Sequence, residues 1–320
     1  MQIAVIIGIG AGLASAVLYA SAWTGTVLGL FVLFFLSPMP VAIAGFGWGS
    51  GSGTIAAAVG AVTVLASGGM RSGLVYLIAV GAPAAVFSYF AMLNRVRDDD
   101  GTLEWYPIGR IVAWATLWAA LASCAGLLGI GSDAASIRAA IQELLEKSML
   151  LEGMSQSGAK ITPEQRAGFA ALMTAFLPWA FATTWFMVAI LNLWAAGHVI
   201  LRSGRLMRPW PDLSAISLPP GMGLAFGAAA IGMMAGNMTA LLASCFASAL
   251  LFAFMLVGLG VLHRLTQGYA VRPLLLAIVY TGLMLLPPFS NLLVAMVGLS
   301  EPYLRGRIPP GAPPQPPPAA

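Results

Sequence analysis

The chain has 320 residues, of which 59% are hydrophobic and only 8% are charged, and its formal net charge is +4. A soluble domain carries roughly 25% charged residues, so this composition excludes a soluble fold of such length and predicts a polytopic membrane protein. The basic residues form no run with interleaved aromatic residues, which argues against binding of nucleic acid.

The first apolar run covers residues 3–36. A membrane-crossing helix needs about 20 apolar residues, so this run is too long for one straight span. It predicts either one kinked helix or a tight hairpin near Ala22–Gly25. Because no Lys or Arg precedes Arg71, the run lacks the basic start of a signal peptide, and we expect a first helix that is retained.

Small residues recur every four positions along this first helix. They are Ala4, Gly8, Gly12, Ala16 and Ala20. Since a helix turns about 100° per residue, they form one slowly drifting stripe on which another helix can approach closely. Two interpretations stay open, namely packing within the same bundle and docking of a partner membrane protein.

Proline and glycine divide the following apolar residues. The sequence SPMP at 37–40 ends the first run, and GFGWGSGSGT at 45–54 interrupts the second, which covers 40–67. No Lys follows these glycines, so they do not form a phosphate loop. They indicate either close packing or a helix break that lines a ligand site.

The remaining apolar runs cover 72–93, 107–130, 167–200, 218–236, 238–262 and 273–299. The sequence therefore predicts an all-α helical membrane bundle with about eight transmembrane helices, within a range of seven to nine. We assign residues 1–300 to one helical membrane domain and residues 301–320, which are rich in proline, to a disordered tail of polyproline character. A role of this tail as a PxxP ligand is the alternative.

Three hydrophilic connections carry Arg residues, at 94–106, 202–213 and 263–272. They are separated by even numbers of spans, so they share one face, which the positive-inside rule places in the cytoplasm. We expect a multi-pass protein of the bacterial cytoplasmic (inner) membrane, with the lipid bilayer as its surroundings.

The longest polar insertion covers residues 132–166. Within it, 133–151 predicts an amphipathic helix that lies on the membrane surface or over the bundle. Its apolar stripe is Ile137, Ile141, Leu144, Leu145 and Leu151, and its polar face is Arg138, Gln142, Glu143, Glu146 and Lys147, with Glu143 and Lys147 as an i,i+4 pair. The sequence TPEQ at 162–165 predicts a helix start with a capping box between Thr162 and Gln165.

The spans contain few groups for chemistry. No Asp, Glu, Lys or Arg lies in the middle of any predicted span, which argues against a carboxylate-driven antiporter and an intramembrane protease. Cys124 and Cys245 lack metal-ligand spacing, and neither His is near a carboxylate in sequence. We predict no enzyme activity, no metal and no cofactor.

Amide and aromatic side chains are the polar groups at membrane depth. The candidates for substrate binding are Asn192, Trp194, His198, Asn237, Trp185 and Asn291. In one interpretation, the Asn side chains join helices and the Trp side chains form an interfacial belt. In the other, some of them line a pocket for a small polar molecule.

The second half of the chain resembles a family. The segments LNLWAAGHVILRSGRLMRPWPDLSAISLPPG, GLGVLHRLTQG and GLSEPYLRGR resemble the YybS-like family of bacterial membrane proteins. The matching positions are Leu191–Asn192, Arg202–Arg208, Pro219, Gly258–His263 and Arg305–Arg307. That family is distantly similar to the substrate-capture subunits of energy-coupling-factor vitamin transporters.

This resemblance implies a subunit that binds a small molecule between helices and docks to partner chains through its first helix. The sequence departs from those subunits because it has more than six predicted spans and no recognisable vitamin-binding loop. Two hypotheses follow, a small-molecule transport or substrate-binding membrane subunit and a non-transporting scaffold or regulator that binds protein partners. A membrane enzyme that acts on lipid is a third. A closed, polar-lined cavity at membrane depth favours the first, and a solid apolar core favours the second.

Overall fold

The computed structural model describes residues 2–22, 27–99, 101–146 and 162–304, which are almost entirely helical. The helices are α1 (Gln2–Ala22), α2 (Val27–Leu36), α3 (Met39–Trp48), α4 (Ser50–Tyr76), α5 (Ala82–Met92), α6 (Ile108–Ile130), α7 (Ala134–Glu146), α8 (Pro163–Arg202), α9 (Met222–Gly232), α10 (Asn237–Leu265), α11 (Arg272–Leu285), α12 (Phe289–Leu299) and α13 (Glu301–Leu304). A π-helical turn, Leu77–Gly81, joins α4 to α5, and the strands β1 (Asn94–Val96) and β2 (Leu103–Trp105) pair as an antiparallel hairpin.

The predicted all-α helical membrane fold is confirmed. In the described part of the chain, five helical stretches are long and apolar enough to cross a membrane: Gln2–Ser21, Ser50–Met92, Ile108–Ile130, Pro163–Arg202 and Asn237–Leu265. Shorter apolar helices cover Val32–Trp48, Met222–Ala235, Arg272–Leu285 and Phe289–Leu299. The predicted number of about eight transmembrane helices is higher than five because it also counts such shorter apolar segments as spans. The run 273–299, for instance, is divided between α11 and α12, where two prolines interrupt it.

The stretch from α4 to α5 folds back on itself at Gly69. The backbone of this residue has φ 81° and ψ 173°, a combination outside the helical region. On either side of it the two arms pack together, since a Cβ on Gly60 would lie 2.7 Å from Tyr76 Cε1 and one on Gly81 would lie 3.3 Å from Ala57 Cα. The arm before Gly69 therefore belongs to the predicted run 40–67, and the arm after it to the separate run 72–93.

Helices α1 and α2 also pack against each other. The rings of Tyr19 and Phe34 lie 6.3 Å apart, although 15 residues of continuous helix would separate them by roughly 22 Å. A single kinked helix over residues 3–36 is therefore excluded, and the hairpin alternative agrees with the structure. The residues that join the two helices lie outside the described part.

The stripe of small residues on α1 faces α4. A Cβ on Gly8 would lie 2.8 Å from the carbonyl oxygen of Ser52, and Ser52 Oγ donates a hydrogen bond of 2.8 Å to the carbonyl oxygen of Ala4. Ala16 is buried, whereas Ala20 is exposed. The stripe thus packs within the chain from Ala4 to Ala16. Docking of a partner through it stays a prediction.

Glycines in the interrupted run allow close approach. Gly49 has φ 91° and separates α3 from α4. A Cβ on Gly53 would lie 3.1 Å from Gly45 Cα, and one on Gly45 would collide with the Ser88 side chain. These contacts agree with the packing interpretation of GFGWGSGSGT.

The chain divides into two compact units. The first contains Met1–Ala115, Met187–Pro219 and Met255–Ala320, and the second contains Thr116–Phe186 and Pro220–Phe254. In the first, Ala16, Tyr19, Val64, Tyr76 and Val80 form a core cluster. In the second, Leu127, Ile137, Ile141, Ala170 and Cys245 form another, against which Cys124 packs. Both cysteines are free thiols.

Helix α7 forms within the predicted amphipathic insertion. Ile137 and Ile141 are buried as the stripe predicted, whereas Leu144 is exposed. Arg138 is exposed on the polar face. The Leu145 and Glu146 side chains, Lys147, Leu151 and the proline-rich tail lie outside what the structure describes.

The predicted capping box at the start of α8 is confirmed. Gln165 N–H donates to Thr162 Oγ1 at 3.2 Å, and Thr162 N–H donates to Gln165 Oε1 at 2.9 Å. Each side chain satisfies one backbone donor that the helix leaves unpaired, with Pro163 in the first turn.

Candidate functional site

A partly open cavity of about 240 Å³ lies in the first compact unit. Parts of α3, α5, α6, α8 and α10 form its wall, together with the α8–α9 loop, which we define as residues 203–221. Its lining includes Phe46, Ala91, Val112, Trp194, Gly197, Arg208, Trp210, Pro211 and Leu256. The wall is apolar except at Arg208, which is the one charged residue among the described lining residues.

Glycines seat the α8–α9 loop directly on the helix backbones. A Cβ on Gly197 would lie 3.2 Å from Trp210 Cζ3, and one on Gly260 would lie 2.8 Å from the carbonyl oxygen of Ser214. A Cβ on Gly109 would collide with the carbonyl of Ser217. Any larger residue at these three positions would lift the loop, so the glycines hold this part of the cavity wall in place.

Asp212 shapes the loop next to the cavity. Its Oδ1 accepts hydrogen bonds from Ser214 N–H at 2.9 Å and from Ser214 Oγ at 2.7 Å, which caps the short 3₁₀ turn Leu213–Ala215. This local bonding is typical of Asp at turns. It fixes the chain directly after Trp210 and Pro211, which both line the cavity.

Arg208 is a buried cation beside the cavity, with only 9% of its surface exposed. Its Nη1 donates a hydrogen bond of 2.8 Å to the carbonyl oxygen of Ala91, and its Cζ lies 5.8 Å from the ring centre of Trp105. Ala91 is in the last turn of α5, where carbonyl groups lack helical partners and the helix dipole favours a cation.

No described carboxylate forms an ion pair with Arg208. Ion pairs between two described residues join Arg95 to Glu104 and Arg97 to Asp99. Burial lowers the pKa of Arg208 to about 10, so the side chain is still cationic at neutral pH.

Of the six predicted binding residues, Trp194 lines the cavity and His198 lies directly behind it. The ring centre of His198 is 4.5 Å from that of Trp194 and 4.2 Å from that of Trp210. His198 Nδ1 is buried and has no hydrogen-bond partner in the described part of the chain. His198 therefore supports the two Trp side chains rather than lining the cavity.

Asn192 joins two helices and does not line the cavity. Its Nδ2 donates hydrogen bonds to the carbonyl oxygens of Val188, at 2.8 Å, and of Phe35, at 2.5 Å. Val188 is one turn earlier on α8, and Phe35 is on α2. This geometry matches the interpretation of the Asn side chains as contacts between helices.

The other three candidates lie elsewhere. Trp185 and Asn237 belong to the second unit. The Trp185 ring meets Trp118 edge-on at 5.3 Å, and Asn237 is exposed at the first residue of α10 with φ 51°. Asn291 is buried on α12 in the first unit. None of them lines the cavity, and a binding role for them stays a prediction.

The sequence interpretation missed Arg208 and Trp210 as site residues. Both are in 202–213, from which the sequence predicts a membrane orientation and, at Arg202–Arg208, a resemblance to the YybS-like family, but no binding site. The available signal was the sequence RPWP, because a Trp side chain is highly buried on average and so predicts packing of this loop against the protein. The burial of this Arg depends on contacts with α5 and β2, which are distant in sequence.

Arg264 is a second buried guanidinium, in the last turn of α10. Its Nε and Nη2 have no hydrogen-bond partner among the described residues. The dipole at this helix end favours a cation. Arg264 does not line the cavity.

The helices and their apolar lengths define a polytopic helical membrane protein. Residues 13–300 match the model of the family described as "Predicted membrane protein (DUF2232)", and the chain belongs to this family. The comparisons gave no significant match among curated proteins or among solved structures.

Proposed function

We propose that this protein is a membrane subunit that binds a small molecule for transport, and that it works with partner chains. The cavity in the first unit is the observation that supports this proposal. Sites for small molecules are concave and mostly apolar, and this partly open, apolar cavity has that form. At roughly 30 Å³ per water-sized group, about 240 Å³ is room for roughly eight such groups.

The composition of the cavity wall restricts the chemical class of the ligand. The sequence led us to expect a polar lining, whereas the wall is apolar except at Arg208. An apolar wall favours a ligand with an apolar body, since burial of apolar surface drives its binding. A small polar ligand would leave its own hydrogen-bonding groups unsatisfied here.

The proposal also includes the partner chains, the source of energy and the membrane in which the protein works. The resemblance to the YybS-like family, and through it to substrate-capture subunits of energy-coupling-factor transporters, supports a binding subunit that depends on other chains. The sequence has no nucleotide-binding motif, so energy from ATP would come from a partner. We place the protein in the bacterial cytoplasmic membrane, with no enzyme activity and with the Arg-rich loops in the cytoplasm.

Mass spectrometry of the purified, detergent-solubilised protein tests the proposal. The wild type is expected to carry a small molecule, and Val112→Phe, which fills the cavity, is expected to lose it. Val17→Phe is the matched control, because it makes the same change at a position of α1 that is 60% exposed. Melting temperatures of both variants check that they fold.

Two results would contradict this function. One is a wild type that carries no small molecule, and the other is equal retention by a folded Val112→Phe variant. Either would favour the alternative, a scaffold or regulator that binds protein partners.

A further inference from the structure

Arg208 has more capacity for hydrogen bonds than the described residues use. A guanidinium carries five N–H donors in a planar fork, and the described residues accept one bond from it, at the Ala91 carbonyl. The Trp105 ring adds a weak attraction to the cation. Two neutral partners thus face a full positive charge.

Burial of such a charge is unfavourable. With only 9% of its surface exposed, Arg208 loses most of its hydration, and a single carbonyl and a ring replace only part of it. The lowered pKa of Arg208 has the same cause. An anion bound beside this side chain would restore the lost interaction, and carboxylates and phosphates match the planar fork of donors best.

The size and apolar wall of the cavity indicate what the uncharged part of the ligand is. Its wall offers apolar contacts to roughly eight water-sized groups, and Arg208 belongs to that wall. A molecule that satisfies both features has one anionic head and one short apolar body. A two-chain lipid is too large for the cavity as a whole.

We propose that the ligand is a small anionic amphiphile whose carboxylate or phosphate binds Arg208 and whose apolar body, of roughly eight non-hydrogen atoms, fills the cavity. This inference rests on the proposed function and names its substrate class. Trp210 and Pro211, from the same loop as Arg208, would contact the body close to the head.

Equilibrium binding of radiolabelled octanoate and octanol tests this proposal. The full chain is placed in phosphatidylcholine nanodiscs, and binding to empty nanodiscs is subtracted. Octanoate carries the charge that octanol lacks on the same apolar body. We expect octanoate to bind about tenfold to a hundredfold more tightly, as for a hydrogen bond to a charged group.

Two Arg variants locate the anion. Arg208→Gln is expected to weaken octanoate binding by about tenfold or more and to leave octanol binding nearly unchanged. Arg205→Gln is the matched control, because Arg205 is exposed in the same loop, 4.8 Å from the Trp48 ring centre, and does not line the cavity. It is expected to bind octanoate as the wild type does.

The outcomes separate the two proposals. If octanol binds as tightly as octanoate, or if folded Arg208→Gln retains octanoate affinity, the anionic ligand is overturned and the binding function stands. If neither compound binds and no small molecule co-purifies, the binding function fails as well.

A bilayer lipid could supply the same chemistry through its phosphate and part of one acyl chain. Nanodiscs that contain phosphatidylglycerol, a lipid with a free anionic charge, separate the two sources. Loss of octanoate binding in them supports anion recognition with lipid as the ligand, and unchanged binding supports a free acid.

Discussion

Single glycines decide where the helices of the first unit approach each other. Gly10 and Gly12 are two residues apart in the sequence of α1. A Cβ on Gly10 would meet no atom within 4 Å, whereas one on Gly12 would lie 2.5 Å from the carbonyl oxygen of Ala56. The same substitution therefore has different consequences two residues apart.

Gly12→Ala is expected to destabilise the protein by about 1–3 kcal/mol, because the added methyl group must push α1 away from α4. Gly10→Ala should be neutral or slightly stabilising, since Ala favours helix over Gly. Melting temperatures in detergent compare the two. Equal effects would show that α1 does not pack on α4 through Gly12, and would return the stripe to the docking interpretation.

At the scale of elements, the chain reversal between residues 50–68 and 70–92 depends on one backbone conformation. Gly69 combines positive φ with extended ψ, a region that is open almost only to glycine. Because a Cβ there would meet open space, the cost of a substitution comes from the backbone alone.

Gly69→Ala is expected to cost about 1–3 kcal/mol of folding free energy. Gly51→Ala is the matched control, because Gly51 is also in open space but lies near the start of α4 without a positive φ. Thermal unfolding of both variants measures the difference. A Gly69→Ala variant as stable as Gly51→Ala would argue against a sharp reversal at this residue.

The stability of the first turn of α7 is expected to depend on pH. Hydrogen bonds from the Ser136 amide above all, and from the Ala135 amide, hold the pKa of Asp133 below its usual range. A carboxyl with a lower pKa in the folded state stabilises that state at pH values above its unfolded pKa. This contribution disappears as the pH falls through the folded pKa.

Acidification is therefore expected to loosen the first turn of α7, which hydrogen exchange at the amides of 137–140 measures as lower protection. Asp133→Asn should show no such pH dependence, because its side-chain oxygen still caps the helix but does not titrate. If both proteins lose protection equally, the cap does not cause the change.

The elements that the sequence predicted well are those whose signals are local. The capping box of Thr162 and Gln165, the break within 45–54 and the buried stripe of Ile137 and Ile141 follow from neighbouring residues and helical periodicity. The burial of Arg208 follows from neither signal, because it depends on contacts with Ala91 and Trp105, which are more than 100 residues away in sequence. The prolines that divide 273–299 were a local signal that the count of spans did not use.

At the scale of the whole molecule, two of the three Arg-rich connections lie together. Arg208, from 202–213, bonds to the carbonyl of Ala91 just before 94–106 and contacts Trp105 within that segment. Their predicted position on one face of the membrane agrees with these contacts. That this face is cytoplasmic stays a prediction.

Cysteine labelling tests the orientation. In a background with Cys124 and Cys245 replaced by Ala, Ser203→Cys should resist a membrane-impermeant reagent added to intact cells. Ser132→Cys, one predicted span away, should react. Both serines are exposed in the structure, so burial does not explain a difference between them. The reverse pattern would invert the topology.

The composition of the cavity wall also bears on how the protein is made. The wall includes Phe46 and Leu256, roughly 210 residues apart, and a ribosome that adds about 5–20 residues per second needs roughly 10 to 40 s between them. Arg208 is synthesised 48 residues before Leu256, so for roughly 2 to 10 s of this interval the charged side chain is present while part of the wall is missing. The site is therefore completed late in synthesis, and a nascent chain that stops before α10 would hold the charged loop beside a wall that lacks Leu256.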